Sequence, residues 1–170
     1  MKNLGSFEMP LQYMCHINYA YIANGTMNQN IPDSEIVLRQ TIPGHVKPTP
    51  KWKAFNEDLL RSKIPIKTLD RLEMYDPEIV FFADRIDKHQ KRAYFEIVAP
   101  DGKTFFTEFD TTDLKYATRW ILYNGDQQVS AFVLPATCRP EGFLAAKKAG
   151  TLIMLNPNEE KSFKIKTGKN

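Results

Sequence analysis

Short stretches in which apolar and polar residues alternate predict that most of this chain forms β-strands. These stretches are rich in Val, Ile, Thr, Phe and Tyr, the residues that favour strands. In the first stretch, alternation puts Gln12, His16 and Asn18 on a polar, solvent-connected face. It directs Tyr13, Cys15 and Ile17 into the interior. The predicted strands are 11–22, 35–41, 78–86, 92–99, 104–109, 118–123, 128–134, 151–155 and 161–167.

Turn residues separate these strands and indicate how they pair. Asp101-Gly102 tolerates the positive φ that a tight turn requires, so 92–109 is predicted to be a hairpin. Asn124-Gly125 has the same part before 128–134, and the two strands nearest the C-terminus are expected to pair with each other. The helical signal is confined to 52–61 and to one turn within 142–149. Many short strands and little helix predict a mainly β, antiparallel sandwich or barrel, with residues 1–170 as a single domain.

Charge and composition exclude several classes of partner. The net charge of +3 is spread along the chain, which argues against nucleic acid as a partner. The longest apolar runs are far shorter than the roughly 20 residues that cross a bilayer, so no membrane partner is expected. The N-terminus lacks the apolar stretch of a secretory signal, and Cys15 and Cys138 stand far apart, so we expect a reduced, cytoplasmic protein without a disulfide.

No motif points to a metal or a cofactor. The histidines His16, His45 and His89 are scattered, and neither cysteine belongs to a Cys-x-x-Cys pair, so no metal site is predicted. Glycine-rich phosphate-binding patterns are also missing from the sequence. We therefore expect the protein to work without a cofactor.

Two stretches resemble the aldose 1-epimerase (galactose mutarotase-like) superfamily. Residues 13–21, Tyr-Met-Cys-His-Ile-Asn-Tyr-Ala-Tyr, resemble the strand that carries the family's catalytic histidine, and His16 matches that histidine. Residues 118–142 and 155–160 resemble the family's final hairpins, where a Gly-Leu-Glu-Pro-like segment brings the second catalytic residue. The resemblance covers nearly the whole chain. It implies the C-terminal half of a galactose mutarotase-like supersandwich, without the usual N-terminal half.

The resemblance also implies a chemistry, and one residue departs from it. Mutarotation needs a base for the anomeric hydroxyl proton and an acid for the ring oxygen, and the resemblance gives the acid role to His16. Aligning 132–135 on the family segment places Leu134 where the general-base glutamate is expected. Leucine cannot accept a proton. Glu141, in the loop that follows, is the nearest carboxylate that could replace the base.

The remaining candidates would contact the sugar, and four of the site residues have a structural alternative. Asn18, His45, Trp120 and Arg139 are the predicted substrate-binding residues. The structural alternative for Trp120 is a position in the core of the sandwich, and for His45 it is a residue that closes a turn. For Glu141 the alternative is a solvated loop carboxylate paired with Arg139, and for His16 it is a half-buried histidine satisfied by the backbone or by Asn18.

Two functions remain open on this sequence. One is an aldose-binding isomerase that interconverts anomers, completed by another chain or domain that supplies the missing half. The other is a non-catalytic carbohydrate-binding or structural β-sandwich that has lost the base. A lone half should leave strand edges exposed, so we expect either a homodimer or a partner carrying the first half.

Overall fold

The computed structural model describes residues 1–44 and 46–170 and is built almost entirely of short strands. Its two α-helices are α1 (Pro50–Ser62) and α2 (Phe143–Lys148). The strands are β1 (Met9–Leu11), β2 (Thr26–Gln29), β3 (Ile36–Leu38), β4 (Ile79–Ala83), β5 (Arg92–Val98), β6 (Thr104–Asp110), β7 (Tyr116–Tyr123), β8 (Gln128–Ala136), β9 (Ile153–Leu155) and β10 (Ile165–Lys169).

Two four-stranded antiparallel sheets form the sandwich, in the orders β3–β4–β7–β8 and β10–β6–β5–β2. Their inner faces share one core, in which Phe81 and Ile121 of the first sheet pack in the same cluster as Phe95 and Ile97 of the second. Strands β1 and β9 form a separate pair. The predicted mainly β, antiparallel sandwich with short helices is confirmed.

Local signals placed two hairpins and the longer helix correctly. Strands β5 and β6 pair antiparallel around a turn in which Gly102 has a φ of +83°. Strands β7 and β8 pair around the turn that contains Asn124-Gly125. Helix α1 begins where the Thr49 hydroxyl accepts the Trp52 backbone N–H at 3.1 Å, with Pro50 in its first turn.

The prediction of a strand over 11–22 is wrong, because only Leu11 of that range lies in a regular strand. The rest runs antiparallel beside β8, held by bridges from Met14 to Ala136 and from Ala20 to Val129. The bridged residues lie six positions apart in the segment but seven apart on β8, so no continuous ladder forms. The predicted alternation of exposure persists: Gln12, His16 and Asn18 are exposed, and the residues at 13, 15 and 17 are half-buried.

The predicted pairing of the two strands nearest the C-terminus is also wrong. Strand β9 pairs with β1, and β10 pairs with β6. Residues 156–164 between them are too many for a tight hairpin, so each strand is free to take a partner from elsewhere in the chain. Both partners, β1 in the N-terminal segment and β6 in the first hairpin, are distant in sequence.

Candidate functional site

The candidate site lies on the outer face, defined as the face of the β3–β4–β7–β8 sheet turned away from the other sheet. Inward residues such as Phe81 on β4 and Ile121 on β7 belong to the core cluster. Val80 is paired with Trp120, so these two residues share the opposite face. Even-numbered residues of β4 and β7 therefore form the outer face.

Trp120 is the centre of the first polar group on this face. Its indole Nε1 donates to Glu78 Oε2 at 2.6 Å, and Arg39 Nη2 donates to Glu78 Oε1 at 2.8 Å. The His16 ring meets the indole edge-on, with centroids 5.6 Å apart. We call His16, Arg39, Glu78 and Trp120 the Trp120 cluster. Trp120 therefore lies outside the core, and exposed His16 is not the half-buried structural residue of the alternative reading.

Arg139 organises a second polar group on the same face. Its Nε and Nη2 donate to the two oxygens of Asp84 at 2.9 and 2.6 Å, and Glu141 lies 3.9 Å from Nη1. The guanidinium stacks over Phe82, an outer-face residue of β4, 4.6 Å from the ring centroid. Because Asp84 holds its edge and Phe82 lies against its face, the guanidinium presents a rigid, planar set of donors.

An open cavity of about 240 Å³ adjoins this second group, and we call it the Arg139 cleft. Its polar lining is Asp84, Tyr116, Arg139, Glu141 and Thr151, and alanines of the α2 region form the remaining wall. Burial, and then the charge of Asp84, raises the pKa of Tyr116, so its hydroxyl keeps its proton at neutral pH. The hydrogen bond to Asp84 raises the pKa of Arg139. The cleft therefore offers both donors and acceptors at neutral pH.

Leu134 occupies the stretch of the outer face between the two polar groups. On β7, Tyr116 lines the Arg139 cleft and Trp120 anchors the other cluster, and Thr118 lies midway between them. Leu134 is paired with Thr118 and is 1% exposed. A two-residue step along a strand is about 7 Å, so position 134 lies within roughly that distance of each group. A buried leucine thus fills the position that the resemblance assigns to the base.

The other charged residue of β7 points into the core. The Arg119 guanidinium donates to the carbonyl oxygens of Ile66 and Phe132 at 3.0 and 3.3 Å, and to Gln29 Oε1 at 3.0 Å. Burial lowers its pKa to about 10, so it stays charged at neutral pH. This arginine holds the two sheets together and cannot reach a ligand on the outer face.

The structure divides the predicted site residues between the two groups. His16 and Trp120 are brought together, as are Arg139 and Glu141, but the proposed acid and base are in different groups. Asn18 is exposed, and within the described ranges no hydrogen bond joins its side chain to either group. The prediction for His45 lies outside the described residues.

Sequence reasoning missed Arg39, Glu78, Asp84 and Tyr116. A usable signal existed for two of them, because Glu78 and Asp84 flank β4 with the same parity and therefore share one face. Within the described ranges, no three His, Cys, Asp or Glu side chains are grouped to hold a metal ion. Cys15 and Cys138 are free thiols, and none of the described helices has the length and apolarity to cross a membrane.

Comparison with known proteins supports the fold. No family model matches the chain, and no match was found among curated proteins. A solved structure described as a putative aldose 1-epimerase from Klebsiella pneumoniae is similar to it, with a TM-score of 0.61 and 17% sequence identity. The match covers 99% of this chain but 39% of that one, in keeping with the predicted C-terminal half. The chain therefore has the β-sandwich fold found in an aldose 1-epimerase-like protein and spans less than half the length of that relative.

Proposed function

We propose that this chain is a carbohydrate-binding protein that holds an aldose on the outer face. The observation that carries the proposal is the Arg139 cleft, where a rigid guanidinium, two carboxylates and a protonated phenol line one open cavity. Carboxylates accept hydrogen bonds from sugar hydroxyls, whereas the guanidinium and the phenol donate to them. At about 240 Å³ the cavity is smaller than the roughly 300–1,000 Å³ of typical small-molecule sites, which favours a single sugar ring.

The Trp120 cluster supports the same proposal from the other end of the face. An indole gives an apolar surface for the C–H face of a sugar, and its N–H is already satisfied by Glu78. His16 borders that indole and is exposed, so its ring is available to a ligand. The Trp120 cluster therefore offers a second surface on this face against which a sugar ring can stack.

The leucine at position 134 supports the proposal that this chain binds a sugar without catalysing mutarotation. The base must remove a proton from the anomeric hydroxyl, and the position nearest to both groups holds an apolar side chain. Glu141 is paired with Arg139 instead of facing His16. The chain on its own is therefore proposed to have weak or no mutarotase activity.

A binding experiment tests the proposal. Saturation-transfer NMR or calorimetry with D-glucose and D-galactose should show binding by the wild-type chain. Arg139→Ala should weaken it by about tenfold or more, since a charge-assisted pair of hydrogen bonds is lost. The matched control is Arg92→Ala, a 70% exposed arginine on the other sheet that pairs with Glu108. The proposal fails if neither sugar binds, or if folded Arg139→Ala binds as well as Arg92→Ala.

A second candidate, an active mutarotase, is favoured by one observation. Glu78 is a carboxylate on the same face as His16, separated from it by one indole ring, so an acid and an alternative base are both present. Polarimetry on freshly dissolved α-glucose and α-galactose separates the candidates. Rapid equilibration that is lost in both His16→Ala and Glu78→Gln would establish that the chain is a mutarotase. Equilibration at the uncatalysed rate would show that it is not, and the binding proposal would stand.

A further inference from the structure

A second cavity lies between helix α1 and the chain that follows it, and we call it the Tyr75 cavity. Its volume of about 370 Å³ is within the roughly 300–1,000 Å³ of typical small-molecule sites. Phe55 and Leu59 of α1 line it, together with Tyr75 and most of residues 62–71. The described residues of this lining belong neither to the Trp120 cluster nor to the Arg139 cleft. A ligand in this cavity would therefore not occupy the proposed sugar site.

Tyr75 brings to this cavity a buried hydroxyl whose proton has no acceptor. The residue is 1% exposed, and its ring packs against Phe55 and Tyr21, with centroids 6.4 and 6.1 Å away. Burial raises the pKa of Tyr75 well above its ordinary value, so the hydroxyl keeps its proton at neutral pH. The Arg71 backbone N–H approaches the hydroxyl oxygen, but no atom of the described residues accepts the O–H. Unlike the enclosed Trp52 N–H, this O–H borders a cavity, so a ligand that carries an acceptor can pair with it.

The remaining walls of the Tyr75 cavity favour an aromatic ring. Phe55, Pro65 and Ile66 are buried apolar residues of the lining. The Phe55 and Tyr75 rings are tilted by 57° to each other, so a flat ring that stacks on one of them meets the other closer to edge-on. Aromatic pairs favour both geometries. Ile64, which also lines the cavity, is 66% exposed and would lose apolar surface to a bound ring.

The charged residues of the lining favour an anionic ligand. They are Lys67, Asp70 and Arg71, two cations and one anion. Lys67 is paired with Asp33, whereas the Arg71 Nε lies 4.0 Å from Asp70 Oδ1, beyond hydrogen-bonding distance. Because the Asp70 and Arg71 side chains are both more than half exposed, this ion pair contributes little. The Arg71 guanidinium therefore has donors to offer to a carboxylate.

We propose that the Tyr75 cavity binds a small aromatic carboxylate. The ring of the ligand lies against Phe55, and its carboxylate accepts the Tyr75 O–H. Because the backbone of Arg71 approaches the same hydroxyl, the Arg71 guanidinium can reach the other carboxylate oxygen. The site is separate from the proposed sugar site and does not depend on it. An apolar segment of a second copy of the chain is the competing occupant.

A titration followed by NMR of the backbone amides tests the proposal with three probes. They are naphthoate, naphthylmethylamine, which joins the same ring to a cation, and acetate, which has the carboxylate without the ring. Naphthoate should shift amides within residues 62–71, with a dissociation constant of about 1 mM or lower. The other two probes should bind at least about tenfold more weakly. Absence of these shifts at about 10 mM naphthoate, or equal binding of naphthylmethylamine, overturns the proposal.

Two substitutions test the donors. Tyr75→Phe keeps the ring and should raise the dissociation constant of naphthoate about fivefold or more, because a charge-assisted hydrogen bond is lost. Its matched control is Tyr94→Phe, which removes a hydroxyl that donates to Glu96 on the other sheet. Arg71→Glu should weaken binding about tenfold, whereas Lys148→Glu, the same change of charge at an exposed position of α2, should not. If folded Tyr75→Phe binds naphthoate as tightly as Tyr94→Phe does, the proposal is wrong.

Two further measurements separate this site from the sugar site and from the competing occupant. Arg139→Ala should leave naphthoate binding unchanged, so loss of sugar binding in that variant and loss of naphthoate binding in Tyr75→Phe report on different sites. Light scattering over a micromolar concentration series, without a probe, measures self-association. A dimer whose formation shifts the amides of residues 62–71 would show that a second copy fills the cavity, and would overturn the proposal.

Discussion

Restoring a carboxylate at position 134 asks whether the outer face still supports a base. Leu134 is 1% exposed and is paired with Thr118, between the Trp120 cluster and the Arg139 cleft. Leu134→Glu would bury a carboxylate, and the Arg139 guanidinium is already held over Phe82 by Asp84. The substitution is therefore expected to destabilise the chain strongly at neutral pH.

The burial of Leu134 determines how much stability Leu134→Glu would lose. A carboxyl in such surroundings has its pKa raised by up to about 3–5 units. Each unit corresponds to about 1.36 kcal/mol, so the ionised glutamate would cost up to roughly 4–7 kcal/mol. That approaches the total stability of roughly 5–15 kcal/mol expected of a domain. Because the pKa is raised in the folded state, the folded chain binds more protons than the unfolded one. Stability is therefore highest below the ordinary carboxyl pKa of about 4.3 and falls as the pH rises through the raised value.

Urea unfolding between pH 4 and pH 8 measures this effect. Leu134→Gln is the control, since the glutamine side chain has nearly the same shape as glutamate and carries no charge. The loss of stability that it causes should not follow this pH profile. Leu134→Glu should approach Leu134→Gln in stability at pH 4 and fall well below it at pH 8. If the two variants stay within about 1 kcal/mol of each other at pH 8, the outer face compensates the charge and the reasoning is wrong. Polarimetry on Leu134→Glu would then show whether this variant has gained mutarotase activity.

Substitutions at Arg119, Gly25 and Trp52, each with a control, test the packing that supports the site by urea or thermal unfolding. Arg119→Ala removes the donors of two buried carbonyl oxygens and of the part-buried Gln29 Oε1, and should cost about 3 kcal/mol or more. Arg119→Met, which fills more of the space, should cost less. Gly25→Ala places a Cβ 3.0 Å from the Ile22 carbonyl oxygen and should cost about 1–3 kcal/mol, with Gly125→Ala, which meets nothing within 4 Å, as a neutral control. Trp52→Phe removes a buried indole N–H that has no partner among the described residues, so it should cost under about 1 kcal/mol, against about 3–5 for Trp52→Ala.

Elements whose signals are local were predictable from the sequence. The β5–β6 hairpin depends on Gly102 at a positive φ, and α1 depends on Thr49 and Pro50 at its start. The segment 11–22 carries a clear alternation and yet forms no regular strand beyond Leu11, because its partner β8 has a different residue spacing. Alternation records which side chains face solvent, and this was correct for His16 and Asn18. It does not record whether a neighbouring strand has matching hydrogen-bonding groups.

The candidate site shows the same limit in its chemistry. His16, Trp120 and Arg139 could be selected from the sequence because the resemblance or the residue type marked them. Glu78 was not selected, because its importance comes from the pairing of Val80 with Trp120, which brings residues from two distant strands side by side.

Strand register also decides what Leu134 means for function. Had β8 paired one residue further along β7, Leu134 would have pointed into the core, where a leucine is unremarkable. The irregularity between Thr118 and Trp120 gives β8 one more residue than β7 over that stretch, and Leu134 lies opposite Thr118 on the outer face. The residue that the resemblance aligns with the base is therefore a buried leucine on the outer face, with the Trp120 cluster and the Arg139 cleft on either side of it. Under the proposed function, the groups that would contact a sugar are present and the group that would take its proton is not, which is the arrangement expected of a binding protein on an enzyme's fold.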